Sequence, residues 1–202
     1  MSQLRMIYLV DDIASIPQPI ETEGFLLRNM DKSELAPYSD LRVSASFNQW
    51  QESDYDDLAA RLVDGRNGHF VIEEIATGKL VAAADAEYFE TELVAGMGTL
   101  GWVMSSPDYR GKKLGYSVCA AVMQHLAKHG FRTFQLSTDD GRVPAIKTYL
   151  NLGWRPWLYE DDMEGRWRAL AEIFGRSFES LKPLPKHFDY VKKAVNSDWQ
   201  TV

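Results

Sequence analysis

Two short stretches hold the residue types with chemistry to offer. Residues 110–115 read RGKKLG, three cations and two glycines in six positions. Residues 145–154 read AIKTYLNLGW and set Tyr149 four positions before Gly153 and Trp154. Cations with glycines suit a phosphate: Gly111 and Gly115 let the main chain come close, since no Cβ intervenes, while Arg110, Lys112 and Lys113 add charge. A solvated basic turn has the same composition. A phenol within hydrogen-bond reach of a leaving group donates a proton. Yet Ala145, Ile146, Tyr149 and Leu150 also form an apolar helical face on which a tyrosine would simply pack.

The carboxylates fall in clusters: Glu52 to Asp57, then Asp85, Glu87, Glu90 and Glu92, then Glu160 to Glu164. Such clusters are usually solvated faces, but on a cleft wall they attract a cationic substrate. Asp85, Glu87 and Glu92, with Asp139 and Asp140, are the candidates for a general base. None is singled out by spacing, and helix capping accounts for the last two equally well. His69, His125, His129 and His187 lack metal-ligand spacing, so no metal is expected. Cys119, the one cysteine, sits among Val118, Ala120 and Val122 and reads as core.

The elements that must position these residues follow from periodicity and punctuation. GFLLRNM at 24–30 reads as a strand. Residues 53–65 read as a helix capped by Ser53, with Leu58, Leu62 and Val63 on one face. HFVIEEIATGKLVAAADAEYF reads as a hairpin around Ala76-Thr77-Gly78, and GTLGWVM at 98–104 as a strand ended by Pro107. From Leu114 the period becomes helical through Val118, Val122 and Leu126 and stops at Gly130. FRTFQLST returns to strand. A helix capped by Asp139 or Asp140 then carries Pro144 in its first turn and ends at Gly153. This order predicts a mixed α/β fold, a sheet with helices on its faces. RGKKLG then lies between a strand and a long helix, where unpaired N–H groups and the positive dipole end favour an anion.

With 202 residues, 45% hydrophobic and 25% charged, the chain can bury a real core. A formal net charge of −7 excludes a broad nucleic-acid footprint. MIYLV at 6–10 is too short for a signal-peptide core, and no apolar run reaches membrane-span length, so a cytoplasmic protein without a membrane partner is expected. Neither the P-loop string nor GxGxxG occurs.

The remaining pattern is R-x-x-x-x-G at a strand-to-helix junction, then A-x-x-x-Y-x-x-x-G-aromatic some thirty residues on. It resembles the GNAT superfamily of acyl-CoA-dependent N-acyltransferases. Arg110, Leu114 and Gly115 match the family's loop, Gly111 fits its common Arg-Gly opening, and Lys113 stands where glycine is usual. The resemblance covers about residues 24–157 and is specific over 99–157. It implies a single GNAT-like domain over 1–202 with a mostly antiparallel sheet. It implies acetyl-CoA as cosubstrate, its pyrophosphate on the loop (Arg110, Gly111, Lys112, Lys113, Leu114, Gly115, Tyr116) and its pantetheine paired with the backbone of Val103, Met104 and Ser105. Tyr149 is implied as the acid for the leaving thiolate. Two departures accompany the match: Arg142 stands where many relatives carry asparagine, and Ser137 where some carry a catalytic glutamate. The expected function is N-acetyl transfer to a primary amine, small molecule or peptide and slightly favoured to be cationic; the alternative is a CoA-binding sensor without turnover.

Residues 158–202 extend past the matching region. Asp161 or Asp162 reads as the cap of a helix carrying Trp167, Leu170, Ala171, Phe174 and Phe178. That stripe packs on its own subunit, joins a homodimer or walls the acceptor pocket; Phe188, Tyr190 and Trp199 suggest a tail that docks.

Overall fold

The computed structural model describes residues 2–48, 51–63, 68–87 and 96–189; the expectations for Glu90, Glu92, Tyr190, Trp199 and the Val63 side chain fall outside them. The strands are β1 (Leu4–Leu9), β2 (Phe25–Asn29), β3 (His69–Glu74), β4 (Lys79–Glu87), β5 (Met97–Ser105), β6 (Thr133–Thr138) and β7 (Arg155–Trp157). The helices are α1 (Leu35–Ser44), α2 (Glu52–Val63), α3 (Leu114–Lys128), α4 (Val143–Asn151) and α5 (Met163–Ile173). The sheet has the order β2-β3-β4-β5-β6-β1-β7. β1 is antiparallel to β6 and β7, as β3 is to β2 and β4, and β5 runs parallel to β6. The mixed, mostly antiparallel sheet read from the sequence is therefore the one observed.

The chain divides into two units. One comprises Pro17–Glu87 and Leu100–Leu126; the other comprises Met1–Ile16, Tyr88–Thr99 and Ala127–Val202. In the first, Val71, Leu80, Ala83 and Met104 from the strands meet Tyr38 and Leu41 of α1 and Leu58 and Leu62 of α2. A chain enters α1 through a capping box: Asp31 accepts from Ser33 N–H, and Glu34 accepts from Asp31 N–H at 2.7 Å. Arg28 then ties Glu34 to Glu73 of β3, at 2.6 Å from each. Below this face Asp85 is sealed, with Tyr38 Oη donating to it at 2.9 Å and His69 Nδ1 3.0 Å away.

In the second unit, Met6–Leu9 form most of β1, which is flanked by strands on both sides and buried at Leu4, Met6, Ile7 and Tyr8. Tyr8 stacks on Phe134 at 5.7 Å, and Trp154 tilts against both rings. The proline-rich stretch after α5 is structural. Leu184 bridges to Trp157, donates its N–H to Pro156 O at 2.8 Å and packs with Ile7 and Met97. Phe188 lies edge-on to Trp157 at 5.7 Å, so this part of the tail docks.

Three expected caps are corrected. α2 begins at Glu52, one residue before Ser53, and Asp54 caps the turn by accepting from Gln51 N–H. Arg142 occupies the N-cap of α4 with no side-chain bond to the helix amides, while Asp139 pairs with Arg142 and Asp140 with Arg166. Asp162 precedes α5 but turns to Arg166 instead of the helix amides. In each case a nearby cation or an earlier turn outcompetes the backbone donors. α5 also ends at Ile173, so Phe178 lies beyond it, buried after a left-handed Gly175.

Candidate functional site

Within the unit that includes 100–126, β5 leads into the RGKKLG loop. The strand pairs in parallel with β6 at Met97, Gly98 and Thr99. Trp102 then takes φ +45°, a left-handed turn of the backbone inside a strand. Of the expected pantetheine-pairing residues, Met104 points into the core while Val103 and Ser105 are half-buried. Ser106 donates its N–H to Val81 O at 2.9 Å, and its buried hydroxyl has no partner among the described residues.

A single 3-10 turn, Pro107–Tyr109, joins strand to loop. It is fastened from outside. Tyr109 Oη donates to Glu74 Oε2 at 2.9 Å, Thr77 donates to the same carboxylate at 2.7 Å, and Phe25 meets the Tyr109 ring edge-on at 5.9 Å. The hydroxyls of Thr77 and Tyr109 hold the Glu74 carboxyl below its ordinary range, and the Glu74 carboxylate pushes the Tyr109 phenol up. Sequence reasoning missed this anchor, since 35 residues separate its partners.

Beyond the turn, Arg110, Gly111, Lys112 and Lys113 are exposed and Leu114 is buried. Gly111 has φ +81° and Lys113 φ +60°. Two left-handed residues with one residue between them bend the main chain as an anion-binding nest does. Among the described residues, no protein oxygen accepts an N–H from Gly111, Lys112, Lys113, Leu114, Gly115 or Tyr116. The next amide, Ser117 N–H, bonds to Lys113 O at 3.1 Å and starts the helical ladder. A Cβ placed on Gly111 or Gly115 would meet no heavy atom within 4 Å, so space lies open over both. Ser117 Oγ donates to Ile20 O at 2.9 Å and accepts from Ile20 N–H at 3.1 Å, pinning the first turn of α3. The donor set, three cations and six unpaired amides at a helix start, fits a pyrophosphate.

In the other unit, Tyr149 lies on α4 with its ring buried, and its carbonyl accepts from Trp154 N–H at 3.0 Å as the helix ends at Gly153, φ +91°. Arg142 pairs with Asp139 at 3.2 Å. The Arg166 guanidinium holds the Asp140 carboxyl below its usual range, which weakens it as a base. Among the described residues, no group of three or more His, Cys, Asp and Glu is placed to hold a metal ion. His187 is exposed and His125 packs edge-on to Phe70 at 5.7 Å. Cys119 is fully buried, and burial pushes its thiol far up.

The profile of the acetyltransferase (GNAT) family matches residues 35–154. No curated protein matches the chain in sequence. A GCN5-related N-acetyltransferase from Sphaerobacter thermophilus superposes with a TM-score of 0.62 at 18% identity, over 77% of this chain and 49% of that one. The ribosomal-protein-S18-alanine N-acetyltransferase of Escherichia coli gives 0.52 at 21% identity, over 64% and 76%. The glucosamine-6-phosphate N-acetyltransferase of Arabidopsis thaliana gives 0.52 at 21%, over 65% and 91%. The chain thus spans about half the length of the Sphaerobacter protein and most of the other two.

Proposed function

The chain belongs to the acetyltransferase (GNAT) family, and on that footing we propose that it moves an acetyl group from acetyl-CoA to a primary amine by direct attack. The observation that carries this reading is the row of amides from Gly111 to Tyr116, open to a ligand at the start of α3. They would hold the pyrophosphate, with Arg110, Lys112 and Lys113 supplying charge. The backbone of Val103, Met104 and Ser105 would pair with the pantetheine as an added strand does. Tyr149 would donate its proton to the departing thiolate; its place before Gly153 and Trp154 is the support for that role.

The acceptor follows from neither fold nor family. By their names, the two relatives act on an alanine of ribosomal protein S18 and on glucosamine 6-phosphate. A small-molecule or peptide amine is the class proposed, in a reducing cytoplasm that suits the buried free Cys119. No helix among the described residues is long and apolar enough to cross a membrane. Isothermal calorimetry with CoA, followed by thiol release from acetyl-CoA over a panel of amines, tests the reading. Binding with turnover on at least one amine is expected. Absence of CoA binding overturns it, and binding without any turnover assigns a CoA sensor instead.

A further inference from the structure

Direct attack needs a group to take the proton from the amine, and the described carboxylates differ sharply in fitness. Asp85 is 1% exposed and already receives the Tyr38 hydroxyl. Asp139 and Asp140 are engaged by Arg142 and Arg166. Ser137 is a hydroxyl. Glu87 is the last residue of β4. Its Oε1 accepts the Trp102 indole N–H at 2.7 Å. Its carboxylate also lies flat on the β5 main chain: a Cβ on Gly101 would fall 2.2 Å from Oε2 and 2.6 Å from Cδ. Gly101 is therefore the residue type that lets a carboxylate rest against this strand. The contact falls at the left-handed step of Trp102, which turns the indole toward Glu87 and leaves its ring 40% exposed.

Position along the strand gives the carboxylate its meaning, and here the inference rests on the function proposed above. The amide cradle follows the C-terminal end of β5, so a ligand paired along that strand runs backward from Ser105 through Val103. Its far end, the thioester, then arrives beside Gly101 and Trp102. All of these residues belong to one unit, 17–87 with 100–126. We propose that Glu87 is the general base of the reaction, with Trp102 as the residue that positions it. Glu87 takes a proton from the amine nitrogen, the nitrogen lone pair forms the C–N bond, and the C–S bond breaks. The thiolate takes a proton from the acid. Starting from an ammonium, two protons leave nitrogen: one passes through Glu87 to solvent, and one in effect restores the acid. Amide, thiol and one released proton balance the step.

The test compares wild type, Glu87→Gln and Trp102→Phe for CoA binding by calorimetry and for thiol release from acetyl-CoA. The acceptors are spermidine, a peptide with N-terminal alanine, and glucosamine 6-phosphate, with hydrolysis by water as the further nucleophile the same base must serve. Glutamine retains an acceptor for the indole N–H, so the fold is preserved. Glu87→Gln is expected to lower kcat/KM about 10²-fold or more, abolish the acidic limb of the pH profile and leave CoA affinity unchanged. Trp102→Phe is expected to lower kcat less and move that limb toward higher pH, since the carboxylate loses a donor. Near-wild-type turnover in Glu87→Gln overturns the assignment, as does a wild type that binds CoA yet turns over no nucleophile. A wild type that fails to bind CoA sinks the broader reading instead.

Discussion

Lys113 holds φ +60° at a place where glycine is the unstrained choice, a cost of about 1 kcal/mol or more. Lysine retains its N–H and brings a cation, so the loop keeps its nest at the expense of some local strain. Replacing Lys113 with glycine is expected to leave thermal stability close to wild type, because relieved strain and added chain entropy oppose each other. CoA affinity should fall with the lost charge, as calorimetry at low and moderate salt would show. Gly111→Ala runs the other way: at φ +81° a Cβ costs about 1–2 kcal/mol, so both melting temperature and CoA affinity should drop. Tyr149→Phe should lower kcat about 10²-fold with unchanged CoA affinity; unchanged kcat would return Tyr149 to the role of a core side chain. Cys119 gives a sharper check on packing. Buried and with its thiol pushed up, it should resist a thiol reagent at neutral pH until the protein unfolds.

At the level of elements, α1 shows what a sequence hides. Its buried residues are Tyr38, Ser39, Leu41 and Arg42, two of them polar, so no apolar stripe announces the helix. Its start was nonetheless written in the chain, because Asp31-Lys32-Ser33-Glu34 is a capping box. The strands around the loop, the long helix α3 and the helix ending at Gly153 were legible, since their periods and stops are local. The missed anchors are not: Arg28 with Glu73, and Tyr109 with Glu74, pair residues distant in the chain. Gly101 within a strand did carry a signal, as a lone glycine there often marks close approach. Arg28 makes a pH prediction. Its hydrogen bonds hold the Glu34 carboxyl below its ordinary value. The stabilisation is fully present above an unfolded pKa of about 4.3 and is lost as pH falls through the lower folded value. Glu34→Gln should cost about 1 kcal/mol at pH 7 and less as the pH falls below about 4, measured by urea unfolding across that range.

Across the whole molecule, the region beyond the family match is not an ornament. Met163, Trp167, Leu170, Phe178, Leu181 and Leu184 are all buried, and Leu184 shares a cluster with Ile7 and Met97. Ending the chain at residue 157 would uncover these apolar faces, so the truncated protein should be insoluble or melt far below the full chain. A soluble truncation with an unchanged melting curve would contradict that. Composition had forecast a packed protein with an acidic surface, and the basic loop stands out against the net charge of −7. What composition could not say is where the loop's amides point, because that depends on backbone angles set by Gly111 and Lys113. The most direct test of the account is the amide resonances of Gly111 to Tyr116 in 15N-labelled protein during a CoA titration. These six are expected to shift together, downfield and saturably, at the affinity calorimetry reports. CoA binding that leaves them unmoved, or no binding at all, would contradict it.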